Sequence, residues 1–390
     1  MRKIVLSFAF SSLIFASELG NFLSPLYNDI FELEQKKSLT QKKLNSLSWI
    51  SPITLSFERN WNNQIVDGWH PRNSYSIGIE QPIFRSGGIL YGIEFAKSNY
   101  NLAKATTIDK RVKLNTQAAE LLFKIKQVKL SIAKLKLELK NRDIEIKNAK
   151  ELFNAGLFGS DALDNALIKK DATARAILDL ESNLQELKSA FKKISNKDLN
   201  SAQLPHLRLL SKDEYLANNT QLMIAKAKSI SSKNYAKVVR SKYLPSVSVG
   251  ARYTKISKAQ PGSKDAFTNY SLRVSMPISV NTFNDLEVAK LDSLIDGLNV
   301  KNSLKAARIE YDSVVKNIAI INKRVKLAKK ELASYKRLLR STQNLYKAGQ
   351  KSSLDVKVLK NSLQEKRLDI KIFGIQKSLE MLKLYSKVDI

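Results

Sequence analysis

Apolar residues fall at Leu121, Ile125, Val128, Ile132, Leu135, Leu139, Ile146, Ala149 and Phe153. Steps of four and three residues average 3.5, which predicts a long helix with a coiled-coil seam. The pattern returns at Val314, Ile318, Ile321, Val325, Ala328, Leu332, Leu339, Thr342 and Tyr346, each 193 positions later (Leu345 against Leu152, 345 − 152). At the same offset Leu152-Phe153-Asn154-Ala155-Gly156 recurs as Leu345-Tyr346-Lys347-Ala348-Gly349, and Pro52 as Pro245. The chain therefore reads as two tandem structural repeats.

Each repeat predicts a helix, two strands, a very long helix, a turn and a shorter helix. In the first, these cover about 19–47, Ile53–Phe57, Tyr75–Glu80, 88–155 and 160–194. The second opens at Ser211-Lys212-Asp213-Glu214, the pattern of a capping box. Its strands are Val247–Tyr253 and Tyr270–Met276, and its long and last helices cover about 283–347 and 352–385. The expected divisions are 1–17, 18–205 and 206–390, with 196–210 linking the repeats. At about 1.5 Å per residue each long helix spans on the order of 100 Å. The return helix is half as long, and the helix before the strands supplies the remainder. From Gly156 to Leu163-Asp164 the spacing is two residues longer than from Gly349 to Leu354-Asp355, so the docking face of the first hairpin is expected to differ from that of the second.

The strands alternate. Ile53, Leu55 and Phe57 oppose Thr54, Ser56 and Glu58; Leu272, Val274 and Met276 oppose Ser271, Arg273 and Ser275. Apolar-out, polar-in alternation over about 9–11 residues marks a transmembrane β-strand, and it also suits a soluble half-buried hairpin. Trp49, Trp61, Trp69, Tyr75, Tyr253 and Tyr270 stand near the expected strand ends, as an aromatic girdle would. Counted from Pro52 and Pro245, the apolar phase differs by one residue, which predicts a register adjustment or a bulge. Four strands cannot close a barrel and lipid tolerates no open edge. Several chains must then share one barrel, and three would supply twelve strands.

Composition narrows the function. The net charge of +30 is compatible with nucleic-acid binding, but the basic residues are spread along helical stretches, as on a solvated face. There is no Cys, hence no disulfide or thiolate metal site, and the two His residues, His70 and His206, are too far apart in sequence to suggest a metal centre. No nucleophile elbow, phosphate loop or paired-carboxylate motif suggests an enzyme, and no cofactor is expected. Met1-Arg2-Lys3, the apolar run Ile4–Phe15 and Ala16-Ser17-Glu18 have the form of a secretory signal peptide.

In these features the chain resembles the TolC-like outer-membrane efflux protein family. The resemblance rests on Leu244-Pro245-Ser246-Val247 at a strand start and on the hairpin segment Leu345 to Val356, with Pro52 and Leu152–Gly156 as first-copy counterparts. It implies a mainly α fold with β: long antiparallel hairpins forming an α-barrel, and four strands per protomer in a shared transmembrane β-barrel. It also implies a homotrimeric outer-membrane channel and periplasmic tunnel, an exit duct for efflux or type I secretion. Its partners would be a periplasmic adaptor (membrane fusion) protein, an inner-membrane pump and outer-membrane lipid, with no nucleic acid. By the same comparison Ala155, Gly156, Leu157, Ala348, Gly349 and Gln350 form the docking tips. Asp355 and Val358 mark the pore constriction, where Val358 replaces an acidic residue and argues against a strongly acidic entrance; Lys351, four residues before Asp355, is expected on the same helical face as a salt-bridge latch for this gate. Leu272, Val274 and Met276 would face lipid. The alternative is a periplasmic coiled-coil adaptor or structural protein of an export complex; adaptors, however, carry one hairpin and a Gly-rich β domain.

Overall fold

The computed structural model describes residues 20–62, 70–157, 159–199, 202–257 and 264–389. The signal-peptide segment and Trp69 lie outside them. The elements are α1 (Pro25–Ser46), β1 (Thr54–Asn62), β2 (His70–Phe84), α2 (Gly88–Asn154), α3 (Ser160–Ile194), α4 (Lys212–Ala217), α5 (Thr220–Lys242), β3 (Ser246–Ile256), β4 (Ala266–Ser275), α6 (Thr282–Lys347) and α7 (Ser353–Tyr385). The two halves repeat the same order apart from the extra one-and-a-half-turn helix α4. Ser211 and Glu214 close the expected capping box at its start.

The chain packs as two compact units, each drawing on both repeats. Among the described residues, one lies within 20–30, 108–220 and 306–389, the other within 31–107 and 221–305. In the first unit the seam forms as its spacing requires. Leu121, Ile125 and Ile132 are buried on α2, and Val314, Ile318, Ile321 and Ala328 on α6. Burial fades toward the hairpin turns in both copies, where Phe153 and Tyr346 are exposed. Beside the seams, α2 meets α3 through Lys136–Glu181 at 3.1 Å and Lys170–Asp143 at 2.8 Å. It meets α7 through Lys134–Asp369 at 2.7 Å. In turn α7 meets α6 through Lys366–Glu331 at 2.8 Å and an Asn317–Glu380 hydrogen bond of 2.8 Å.

Both hairpins turn the same way. The amide of Gly156 donates to the carbonyl of Phe153 and that of Leu157 to Leu152; Gly349 donates to Tyr346 and Gln350 to Leu345. This is the Schellman closure, which needs a left-handed residue, and φ is +69° at Gly156 and +75° at Gly349. The turns are equal in length, because α3 starts at Ser160 and α7 at Ser353, the same offset apart. The two additional residues before Leu163-Asp164 therefore lie inside α3, where the Leu-Asp pair sits two places further from the helix start than in α7. What differs is the cap. Gly159 offers α3 no side-chain hydrogen bond, whereas Ser352 and Asp355 close a capping box on α7.

In the second unit the sheet runs β1-β2-β3-β4, antiparallel throughout, so β1 and β4 are its edges. A bulge between Pro82 and Phe84 shifts the β2–β3 register. It does not set the phase difference between the repeats. Thr54 opens β1 two residues after Pro52, whereas Ser246 directly follows Pro245. The additional residue lies ahead of the strand, and both strands begin on the polar face.

The α7 cap makes a pH prediction. Hydrogen bonds from the Ser352 amide and hydroxyl, helped by the nearby Lys351 charge, hold the Asp355 carboxyl below its ordinary value. A depressed carboxylate adds stability above its unfolded pKa and loses it as pH falls through the folded pKa. Amide exchange protection in the first turn of α7 should therefore drop on acidification below about pH 4, while the first turn of α3 stays unchanged. Equal pH responses of the two turns would refute the assignment.

Candidate membrane, docking and pore surfaces

Cross-strand pairs share a face of a sheet, so the register sorts the side chains. Leu55 pairs with Ile77, Phe57 with Tyr75, Ile77 with Tyr253, Val249 with Leu272, Ala251 with Tyr270 and Val247 with Val274. These positions form one continuous apolar face across all four strands. It is open to solvent in the protomer: Leu55 is 77% exposed, Tyr270 82%, Leu272 71% and Val274 69%. Met276 is also exposed but lies one residue beyond β4. Trp61 stands near the end of β1. Tyr75, Tyr253 and Tyr270 sit within their strands rather than at the ends, and Tyr75 stacks against Phe57 with ring centroids 5.0 Å apart.

The opposite face is polar and internally bonded. Ser56 and Ser76 share a 2.7 Å hydrogen bond, Arg252 donates to Ser76 at 3.0 Å, and Ser248 donates to Glu80 at 3.0 Å. Arg273 stands 3.6 Å from Glu80. Thus the side lacking water-compatible groups is exposed, and the polar side satisfies much of its own demand. Among the described residues no helix is long and apolar enough to cross a membrane.

In the other unit, Ala155, Gly156 and Leu157 form one exposed tip and Ala348, Gly349 and Gln350 the other. Leu157 is 67% exposed, an apolar side chain presented at the end of a rigid hairpin. Open space surrounds both glycines, so a side chain there meets no neighbour and only the positive φ resists it.

Lys351, Asp355 and Val358 line one cleft with Ile144, Glu145, Asn148 and Leu359. A helical i,i+4 pair of Lys351 with Asp355 is not available, because α7 begins only at Ser353. Asp355 is instead held by Ser352, whose hydroxyl stands 3.0 Å from its Oδ2.

Sequence reasoning did not single out the polar cluster further along this cleft. Asn141 Nδ2 reaches Glu365 at 3.3 Å, and Asn361 donates to Asn141 Oδ1 at 2.8 Å. Arg142 bridges Glu138 and Glu145, each at 2.9 Å. Burial, reinforced by the Glu138 charge, pushes the Glu365 carboxyl up. A signal was present: the seam jumps from Leu139 to Ile146, and Arg142 occupies the missing core position. Among the described residues no group of His, Cys, Asp and Glu could hold a metal ion.

Comparisons with known proteins agree with this geometry. Residues 212–371 match the outer membrane efflux protein family. No curated protein matches the sequence significantly. Among solved structures, CusC aligns at TM-score 0.74 with 17% identity, over 92% of this chain and 87% of its own. The Campylobacter jejuni CmeC outer membrane channel aligns at 0.74 with 16% identity, over 92% and 82%. The Vibrio cholerae outer membrane protein VceC aligns at 0.73 with 14% identity, over 92% of each chain. Residues 212–371 are thus similar to the outer membrane efflux protein family, and the fold of the chain is that of the TolC-like channels.

Proposed function

We propose that this protein is a trimeric outer-membrane channel with a periplasmic tunnel, a passive exit duct for efflux or type I secretion. The observation that carries the reading is the sheet. Its apolar face is exposed, its polar face is bonded to itself, and both edge strands are open. A hydrocarbon solvent suits the first property. The third then demands closure by further strands, since an unpaired backbone edge is not tolerated in lipid. Three copies supply twelve strands, a number in the range of outer-membrane barrels. Energy for export would come from an inner-membrane pump reached through a periplasmic adaptor.

Leu272→Arg and Val274→Arg should each block assembly in the outer membrane, at about 2–4 kcal/mol per site near mid-bilayer. Fractionation followed by crosslinking reads location and stoichiometry together. Normal trimer yield from both variants would sink the reading.

The tips are the adaptor surface in this proposal. Gly349→Leu forces a side chain into a left-handed turn at roughly 1–2 kcal/mol, which helices of this length tolerate. Trimers should persist while adaptor co-purification and export fall; undiminished co-purification would leave the tips as helix stops alone. Lys351, Asp355 and Val358 mark the constriction. Asp355→Asn should change conductance or cation preference in planar bilayers, and unchanged values would leave the carboxylate with its capping role only.

A further inference from the structure

The duplication exposes a face that the protomer leaves uncovered. On α2, the side away from α3 carries Thr116, Phe123, Leu130, Leu137 and Ile144 at seven-residue steps. This side meets α7: Thr116 donates to the Tyr385 carbonyl at 3.4 Å, and Ile144 lines the cleft with Val358 and Leu359. The second-copy equivalents on α6, 193 positions on, are Ile309, Lys316, Lys323, Lys330 and Arg337. All five are exposed. From Ser313 to Tyr346 the only acidic residue is Glu331, and that one is engaged by Lys366. Among the described residues none of Lys316, Lys323, Lys330 and Arg337 has an ion-pair partner within 4.0 Å. Where one repeat carries a mostly apolar stripe that is buried or half-buried, the other displays four exposed cations.

The matching surface lies on α3. Its side away from α2 carries Asp164, Asp171, Asp179 and Glu186, all exposed and none in an ion pair among the described residues. The register of α2 on α7 tests whether the two stripes align. Paired residue numbers there total 501 for Thr116 with Tyr385 and 503 for Lys134 with Asp369. Moving to the other copy adds 193 to one helix and subtracts 193 from the other, so the total is preserved. Applied to α6 against α3, it sets Lys316 by Glu186, Lys323 by Asp179, Lys330 by Asp171 and Arg337 by Asp164. Those pairs total 502, 502, 501 and 501.

We propose that the basic stripe of α6 docks on the acidic stripe of α3 from a second copy of this chain, forming a four-rung ionic subunit seam. The proposal rests on the trimer reading and adds the surfaces and the register. Exposed ion pairs contribute little singly, and four in register act chiefly by excluding wrong registers and partners.

The absence of Cys permits a direct test. Full-length Lys330→Cys and Asp171→Cys single variants, co-expressed and oxidised in outer membranes, should give a disulfide-linked dimer, whereas Lys330→Cys with Asp164→Cys, one heptad out of register, should not. Lys323→Glu with Lys330→Glu should lower trimer yield at least tenfold. Adding Asp171→Lys with Asp179→Lys in the same chain should restore it. Trimers that form normally in the charge-reversed chain, or without the 330–171 crosslink, would overturn the seam and leave the trimer reading standing; stripe binding to an anionic cargo or to the adaptor would give that result. A parent chain that yields no trimer with an amine-reactive crosslinker would overturn both.

Discussion

Every long element here depends on one spacing. A seam repeating each 3.5 residues keeps its apolar line facing one neighbour over many turns, and it holds α2 at 67 residues and α6 at 66. Helices of this length gain most of their stability from such packing rather than from propensity. Burial along both seams fades toward the turns. There, hydrogen-bonded closure and, for α7, a capping box take over from apolar contact. The hairpin ends are thus shaped by backbone geometry and carry exposed side chains available for binding.

In the second unit both faces of the sheet are open in the protomer, the polar face knitted across its strands and the apolar face bare. The two facts are linked, because serine, arginine and glutamate side chains that bond across strands need fewer solvent partners. The same alternation that would bury one face of a soluble hairpin leaves this sheet with one bare apolar face and one bonded polar face.

Duplication followed by divergence explains why equivalent helices differ. The first long helix is covered on two sides within its own chain, so apolar residues suit its outward stripe. Along the hairpin half of the second, which meets α7 through Lys366–Glu331, Lys and Arg occupy the equivalent positions.

Period and repetition were legible in the residues themselves, because side-chain direction follows from helix and strand geometry alone. The long helices and their return helices came within a few residues, α3 coinciding with its expected bounds of Ser160 and Ile194, whereas α1 starts only at Pro25 and the helix opening the second repeat is broken into α4 and α5. The left-handed glycines at 156 and 349 were equally readable, since few other residues accept that conformation. Three features were decided only by the folded chain. The difference between the hairpins lies in the cap and not in the turn length, because the offset between helix starts is set by the Schellman closures. The phase slip between repeats is absorbed before β1, where an additional residue costs no ladder hydrogen bond. The cluster of Asn141, Arg142, Glu365 and Asn361 draws on helices more than two hundred residues apart in sequence, and only packing brings them together.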